Sequence, residues 1–335
     1  MDIEEVTGHK LMNLPEGRIL GCAMRNEITI LDCDPGTDDA LAMLCLSRLG
    51  RFPDVVIGSF GNAPCKITAA NAWLMTRWLG ENPKVAYGAE APRLGGGVEC
   101  GDFHGPDALA GLSDTLRSRF GEPQIDHGID DVAEWIHEAG SVTYISTAPL
   151  TTLSLLLERG RFIAERLRHV YIMGGGIKMF NYDHNTEYNF AADPEAVRRV
   201  LSAGVTPVIF PLDFTQIYAR VTQAEIAELA VGGVSWEVQR LLETNRASVR
   251  KYDGLDAAVI HDACPALYHV RPDVFSVARC CVAVDKWGRI DVVDKGGNPV
   301  LVAHGCPDNF VCKALKTVLD VCPADAELLP AIFPL

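Results

Sequence analysis

Four aspartates, Asp32, Asp34, Asp38 and Asp39, fall within the stretch LDCDPGTDDA at residues 31–40. They follow a short apolar run and precede a segment of helical periodicity. That is where a strand hands over to a helix, and it is where α/β sheets place their ligands. Like charges packed this closely raise one another's energy, and a bound cation is the most direct way to offset that cost. Carboxylates are hard oxygen donors, which selects Ca²⁺ or Mg²⁺ over zinc or copper. Ordinary turn chemistry, with Asp38 capping the helix and Asp32 or Asp34 closing an Asx-turn, explains one or two of the four and leaves the others unexplained.

Further polar groups recur at the ends of later apolar runs. They include SFGN at 59–62 followed by Asn71-Ala72, YGA at 87–89 with Pro92, and His104-Gly105. STAPLT at 146–151 comes next, then MGGG at 173–176 with Asn181, Glu187, Tyr188 and Asn189, PLD at 211–213, and His261-Asp262. In this order and spacing, the pattern DxDxxxDD after an apolar strand resembles the signature of the nucleoside hydrolase family, from residue 28 to the C-terminus. A haloacid-dehalogenase-type phosphatase also ends its first strand on a nucleophilic aspartate, in a DxDx[TV] pattern. Here Gly36 stands at the last position, and the Asp38-Asp39 pair has no role in that pattern.

Cleaving a ribosyl bond by water passes through an oxocarbenium-like sugar, so the site needs a base for the water, a clamp on the ribose and a proton for the departing base. The resemblance implies that Asp34, Asp39, Asp262 and the backbone carbonyl of Thr147 hold Ca²⁺, with Asp34 also acting as general base. It implies that Asp38 accepts from a ribose hydroxyl, that Asn62, Asn181, Glu187 and Asn189 bond the sugar, and that His104 and Tyr188 line the same site. Asp32 would orient the loop from behind. The family's purine-stacking members tend to carry tryptophan where His261 stands, so this chain is similar to the histidine-bearing branch. An imidazole of ordinary pKa, ~6.5, would suit His261 to protonate the leaving base, with His104 sharing or replacing that role. On turn chemistry alone, Gly61-Asn62 reads as a turn former, and His261 reads equally well as a packing residue.

The elements that must position these groups follow from periodicity. Apolar runs at 27–31, 54–59, 84–87, 142–146, 169–173, 207–210 and 275–284 read as strands, and most are separated by helical segments such as 38–49. This alternation predicts an α/β fold, a largely parallel central sheet flanked by helices, which the resemblance makes Rossmann-like. Asp193 and Pro194 read as cap and first position of a helix burying Ala196, Val197, Val200 and Leu201. Glycines at 95–97, 174–176 and 232–233 read as loops, and Trp73, Trp78, Trp135 and Trp236 as packing residues. No linker divides the chain, so residues 27–335 are expected to form one domain and 1–26 an extension before it.

A formal charge of −14 argues against a general grip on nucleic-acid phosphates. Eleven scattered cysteines without a CxxC pair read as reduced thiols, and no apolar run spans a bilayer. Asp2, Glu4 and Glu5 stand where a secretory signal would be basic, so a cytoplasmic enzyme acting on small ribonucleosides is expected. Family resemblance implies a homodimer or homotetramer. A metal-dependent phosphatase, or a non-catalytic ribose-ligand-binding member of the fold, are the alternatives.

Overall fold

Short runs rich in Val and Ile become the strands of a nine-stranded sheet in the computed structural model, which describes residues 27–95 and 101–320. The strands are β1 (Glu27–Cys33), β2 (Val55–Gly58), β3 (Lys84–Tyr87), β4 (Ser141–Ser146), β5 (Leu167–Met173), β6 (Val208–Phe210), β9 (Ser276–Val284), β10 (Ile290–Val293) and β11 (Asn298–Gly305); β7 (Arg220–Thr222) and β8 (Ala257–Val259) form a separate antiparallel pair. The spatial order is β10-β9-β11-β6-β5-β4-β1-β2-β3. From β3 across to β11 the neighbours pair parallel, and β9 alone runs the other way, pairing antiparallel with both β11 and β10.

The chain goes outward from β1 through β2 to β3, then returns to the other side of β1 as β4. The connections therefore diverge between β1 and β4, which opens a crevice at their C-terminal ends. The register sets Asp32 of β1 beside Ser146 of β4, so the loops after both strands leave the sheet at the same level.

Alternation along the strands feeds two apolar layers. Leu31, Val56, Ile145 and Phe210 belong to one, with the helices Thr37–Arg48, Cys65–Leu79, Trp236–Tyr252 and Ala263–Val270. Ile30, Ile57, Tyr144 and Ile172 belong to the other, with Ile129–Glu138, Thr151–Glu158 and Pro194–Ser202. The helix Thr37–Arg48 is buried all round from Thr37 to Leu46, because Trp236–Tyr252 and Ala263–Val270 cover its outer side.

Asp193 caps Pro194–Ser202 by accepting from Ala196 N at 3.0 Å, and Ala196, Val197, Val200 and Leu201 are buried as the periodicity predicts. Two expectations differ. Asp38 is not the cap of Thr37–Arg48: Gly36 takes that position, and Asp39 three residues on accepts its N–H at 3.0 Å. Trp236 is no packing residue; it opens its helix at the surface, 51% exposed. The strands β7, β8, β10 and β11 are not among the expected runs. β7 and β8 have only three residues each and β10 four, whereas the apolar run at 300–303 in β11 is legible in the sequence and is missing from that expectation. Residues 1–26 and glycines 96 and 97 lie outside the described residues. Among those described, no helix is long and apolar enough to cross a membrane.

Candidate active site

The strand β1 ends at Cys33, and Asp34, Pro35 and Gly36 turn the chain into the helix beginning at Thr37. This turn carries its carboxylates into a buried place: Asp32, Asp34, Asp38 and Asp39 are all at most 6% exposed. The loop before Ala263–Val270 brings Asp262 to meet them. Carboxylate oxygens of Asp38, Asp39 and Asp262 lie within 4.8 Å of one another, a grouping able to hold a metal ion. Asp34 is outside that trio but close enough to raise the proton affinity of Asp262.

Each acid is held differently. Asp32 accepts from Ser59 Oγ and, at 2.8 Å, from Tyr144 OH; burial still pushes its pKa up to about 7 against those two hydrogen bonds. Asp34 Oδ2 accepts from the Asn62 N–H at 2.8 Å, and the Asn62 side-chain amide returns a bond to the Asp34 carbonyl at 3.0 Å. Burial, then the Asp39 charge, raises Asp34 well above the usual carboxylate range. Burial, then Asp39, lifts Asp38 to about 7. Asp39 is raised by burial; Asp262 is raised well above the ordinary value by burial and then by Asp38. Asp38 Oδ1 is buried without a hydrogen-bond partner, with His104 Nδ1 3.7 Å away and out of bonding range.

Thr147, just past β4, joins the two sides of the crevice. Its N–H donates to the Asp32 carbonyl at 2.8 Å and its hydroxyl to Asp39 Oδ1 at 2.7 Å, while its carbonyl accepts from Asn189 Nδ2 at 2.9 Å. Asn189 is fixed in turn by Glu187, the N-cap of the short helix Tyr188–Ala192, which accepts from Asn189 N, Phe190 N and Gly175 N at 2.8, 3.1 and 2.8 Å. Burial raises the Glu187 carboxyl to about 7 despite these three donors. Asn181 Oδ1 accepts from Tyr188 N, and Tyr188 OH donates to the Gly61 carbonyl.

The two histidines are tied to different threonines. Thr37 N donates to His104 Nδ1 at 3.1 Å, which leaves the proton of the neutral ring on Nε2; burial, then His261, lowers this imidazole to about 3. His261 Nδ1 pairs with Thr215 Oγ1, and burial lowers its pKa to about 4. The ordinary value of ~6.5 expected from its residue type is therefore corrected by its buried setting.

Asp34, Asp38, Asn62, His104, Thr147, Asn181, Glu187, Tyr188, Asn189, His261 and Asp262 all line one cleft of about 270 Å³, a small-molecule site rather than a polymer groove. Asp39 and Asp32 are buried and are not among the lining residues. Sequence reasoning did not place Phe103, Tyr182 or Asp253, which also line it. Phe103 stacks on Tyr252 with ring centroids 5.7 Å apart, joining the 101–112 loop to the end of Trp236–Tyr252. The available signal was thin: Phe103 adjoins His104, and Tyr252 precedes His261. Asp213 lies outside the cleft lining and accepts from Ile177 N and Lys178 N, holding the glycine-rich loop after β5.

A family model described as inosine-uridine preferring nucleoside hydrolase matches residues 29–313. Among curated proteins, the chain is 31% identical to a non-specific ribonucleoside hydrolase RihC of Escherichia coli over 82% of this chain and 88% of that one. It is 30% identical to a pyrimidine-specific ribonucleoside hydrolase RihA of Klebsiella pneumoniae, covering 78% and 85%. The fold is similar to a plant nucleoside hydrolase, PpNRh1, with TM-score 0.77, 23% identity and coverage of 89% and 99%. It is also similar to a purine-preferring ribonucleoside hydrolase from Gardnerella vaginalis, with TM-score 0.75, 18% identity and coverage of 90% and 99%.

Proposed function

Because the chain belongs to the inosine-uridine preferring nucleoside hydrolase family, we propose that it hydrolyses the N-glycosidic bond of ribonucleosides in a Ca²⁺-dependent reaction, giving free base and ribose. The observation that carries this reading is the Asp38 Oδ1 atom, buried and unpartnered in the cleft. A buried acceptor left without a donor is costly, and a ligand that brings a hydroxyl or a cation repairs it.

The donor set fits Ca²⁺. Every candidate is a hard oxygen, and burial and mutual repulsion leave Asp38, Asp39 and Asp262 in need of positive charge. Asp34, Asp39, Asp262 and the Thr147 carbonyl would hold the ion; that carbonyl and both Asp39 oxygens each have a lone pair beyond the hydrogen bond they already accept. When bound, Ca²⁺ would supply the charge that holds the ribose diol and acidifies water at that place.

Asp34 takes the proton of the water that attacks the anomeric carbon, and its grip by Asn62 N–H aims the carboxylate. Asp38 accepts from a ribose hydroxyl. Asn62, Asn181, Glu187 and Asn189 hold the remaining sugar groups, and Tyr188 fixes that wall on Gly61. Asp32, buried outside the lining, fixes Ser59 and Tyr144, and through its carbonyl the Thr147 N–H. The base lies toward Phe103, His104, Tyr252 and His261, where His261 donates to it as it leaves. A ring lowered to about 4 is neutral at pH 7, so His261 meets the departing base as a neutral N–H hydrogen-bond donor and keeps its proton. Salvage of bases in the cytoplasm by a homodimer or homotetramer completes the reading.

The test is a panel of inosine, uridine and p-nitrophenyl phosphate, assayed for reducing sugar and for phosphate. Ribose release from a nucleoside supports the reading. Phosphate release without ribose would favour the phosphatase alternative, and neither product would favour a binding protein.

A further inference from the structure

One wall of the cleft is a loop with an unusual backbone. His184 and Asn185 both have positive φ, +59° and +56°, a left-handed conformation that is uncommon outside glycine, that Asn and His tolerate better than most side chains, and that two successive residues here adopt together. The loop closes on itself between Tyr182 and Thr186, with Asn181 N and Tyr182 N both donating to the Thr186 carbonyl. Asn181, Tyr182, Glu187, Tyr188 and Asn189 hang from its two ends and line the cleft. Strain of this kind persists where surrounding contacts hold it, and it gathers at ligand clamps.

A contact reaches the loop's tip from the β9–β10 hairpin, far away in sequence. The Trp287 ring stacks on His184, with centroids 4.9 Å apart and planes 25° from parallel. Trp287 is 43% exposed, too open to be a core residue. Its own turn is rigid: Asp285 Oδ1 accepts from Trp287 N at 2.8 Å and Arg289 N at 3.0 Å, and Arg198 Nη1 ties the Asp285 carbonyl to the helix Pro194–Ser202. Gly288, with φ +91°, lets the hairpin lie directly on the backbone of Phe190, the residue after Asn189. A Cβ at Gly288 would sit 2.2 Å from the Phe190 carbonyl oxygen.

We propose that Trp287 is a positioning residue for nucleoside binding: stacked on His184, it holds the 181–189 segment in the shape that presents Asn181, Glu187 and Asn189 to the ribose. This rests on reading that wall as the sugar-binding one. Trp287 touches no substrate, so its loss acts on binding geometry and leaves the aspartates and their ion in place. Deleting the stack lets the strained tip relax, and the sugar must then order the loop as it binds.

The experiment compares Trp287→Ala, Trp287→Phe, His184→Ala and the Trp287→Ala/His184→Ala double variant with wild type, reading KM, kcat, bound Ca²⁺ and thermal midpoint. Trp287→Ala should raise KM for the preferred nucleoside about tenfold while kcat changes less than about threefold, with Ca²⁺ content unchanged. Trp287→Phe, which can still stack, should recover most of the KM. The double variant should be no worse than the worse single, because both remove one contact. Unchanged KM in Trp287→Ala, no recovery in Trp287→Phe, or additive losses in the double variant would each overturn the proposal. If Trp287→Ala does not fold, Trp287→Phe against His184→Ala carries the same comparison: near-normal KM in the first and raised KM in the second, or the proposal fails. A wild type inert on every nucleoside would instead overturn the function proposed above, so the two failures are distinct.

Discussion

Thr215 Oγ1 lies 2.7 Å from His261 Nδ1, which commits that nitrogen to the protein and leaves the other for the ligand. With the pKa pushed down to about 4, the ring stays neutral from pH 6 to 8, and a nearby cation would push it the same way. His261→Ala should lower kcat on inosine by about 10²–10⁴ while sparing p-nitrophenyl riboside, whose leaving group needs no proton. The ratio of wild-type to variant kcat should be flat across pH 6–8. A ratio falling about tenfold per unit above pH 6.5 would show an imidazolium acid instead, and equal losses on both substrates would mean that His261 positions the sugar.

Asp39→Ala and Asp262→Ala should each lose bound metal and turnover together, and chelation of the wild type should abolish activity until Ca²⁺ is restored. Stability should respond with a defined sign. The cluster's folded pKa values are raised, to about 7 for Asp32 and Asp38, so the native state binds more protons than the unfolded one between about pH 4 and 7. Metal-free protein therefore loses stability as pH rises through that window. The gain in thermal midpoint on adding Ca²⁺ should be larger at pH 8 than at pH 5; a chelated, metal-free sample that turned over at the original rate would refute the metal assignment.

Asp38 separates sugar binding from metal binding. Asp38→Asn should keep its metal while KM rises by an order of magnitude or more, since a charged two-oxygen acceptor for a ribose hydroxyl becomes a neutral amide with one accepting oxygen. In the wild type, 2′-deoxyribosides should trail ribosides by about 10⁴ in kcat/KM. Elemental analysis of the variant decides: loss of the ion would move Asp38 into the metal set with Asp39 and Asp262.

Gly61 has to be glycine for space rather than for backbone freedom. A Cβ there would sit 1.8 Å from Asp34 Oδ2 and 2.9 Å from Pro149 Cδ. Gly61→Ala should displace the Asp34 carboxylate and lower kcat by about 10² or more, with the metal retained through Asp39 and Asp262. Full activity in this variant would mean that the position of Asp34 is not critical.

What the sequence made legible depended on how local the cause was. The Asp32 to Asp39 stretch, the cap at Asp193 and the Val/Ile strands are set by neighbours in the chain, and all were readable there. Asn62 was readable only through family resemblance; the structure gives it a physical reason, two bonds to Asp34. The pKa of His261 depends on burial by distant segments, and the stacks of Phe103 on Tyr252 and of His184 on Trp287 join residues with no local pattern. The three-residue strand β7, RVT, lacks an apolar run like the one at 207–210 that makes β6 readable.

Asn245 Nδ2 donates to Thr37 Oγ1 across 208 positions of the chain, and Asn245 Oδ1 accepts from Val259 N. The helix packed against Thr37–Arg48 thus belongs to the part of the protein that is synthesised late. At ~5–20 residues per second, the N-terminal acids wait about 10 to 40 s between their own synthesis and that of Asn245. Through that interval Asp262, the third carboxylate of the group with Asp38 and Asp39, is also missing, so the proposed cation site is complete only after the chain has grown past it. A chain cut short before Asn245 would carry every aspartate of residues 31–40 and still lack Tyr252, Asp253, His261 and Asp262 of the cleft lining.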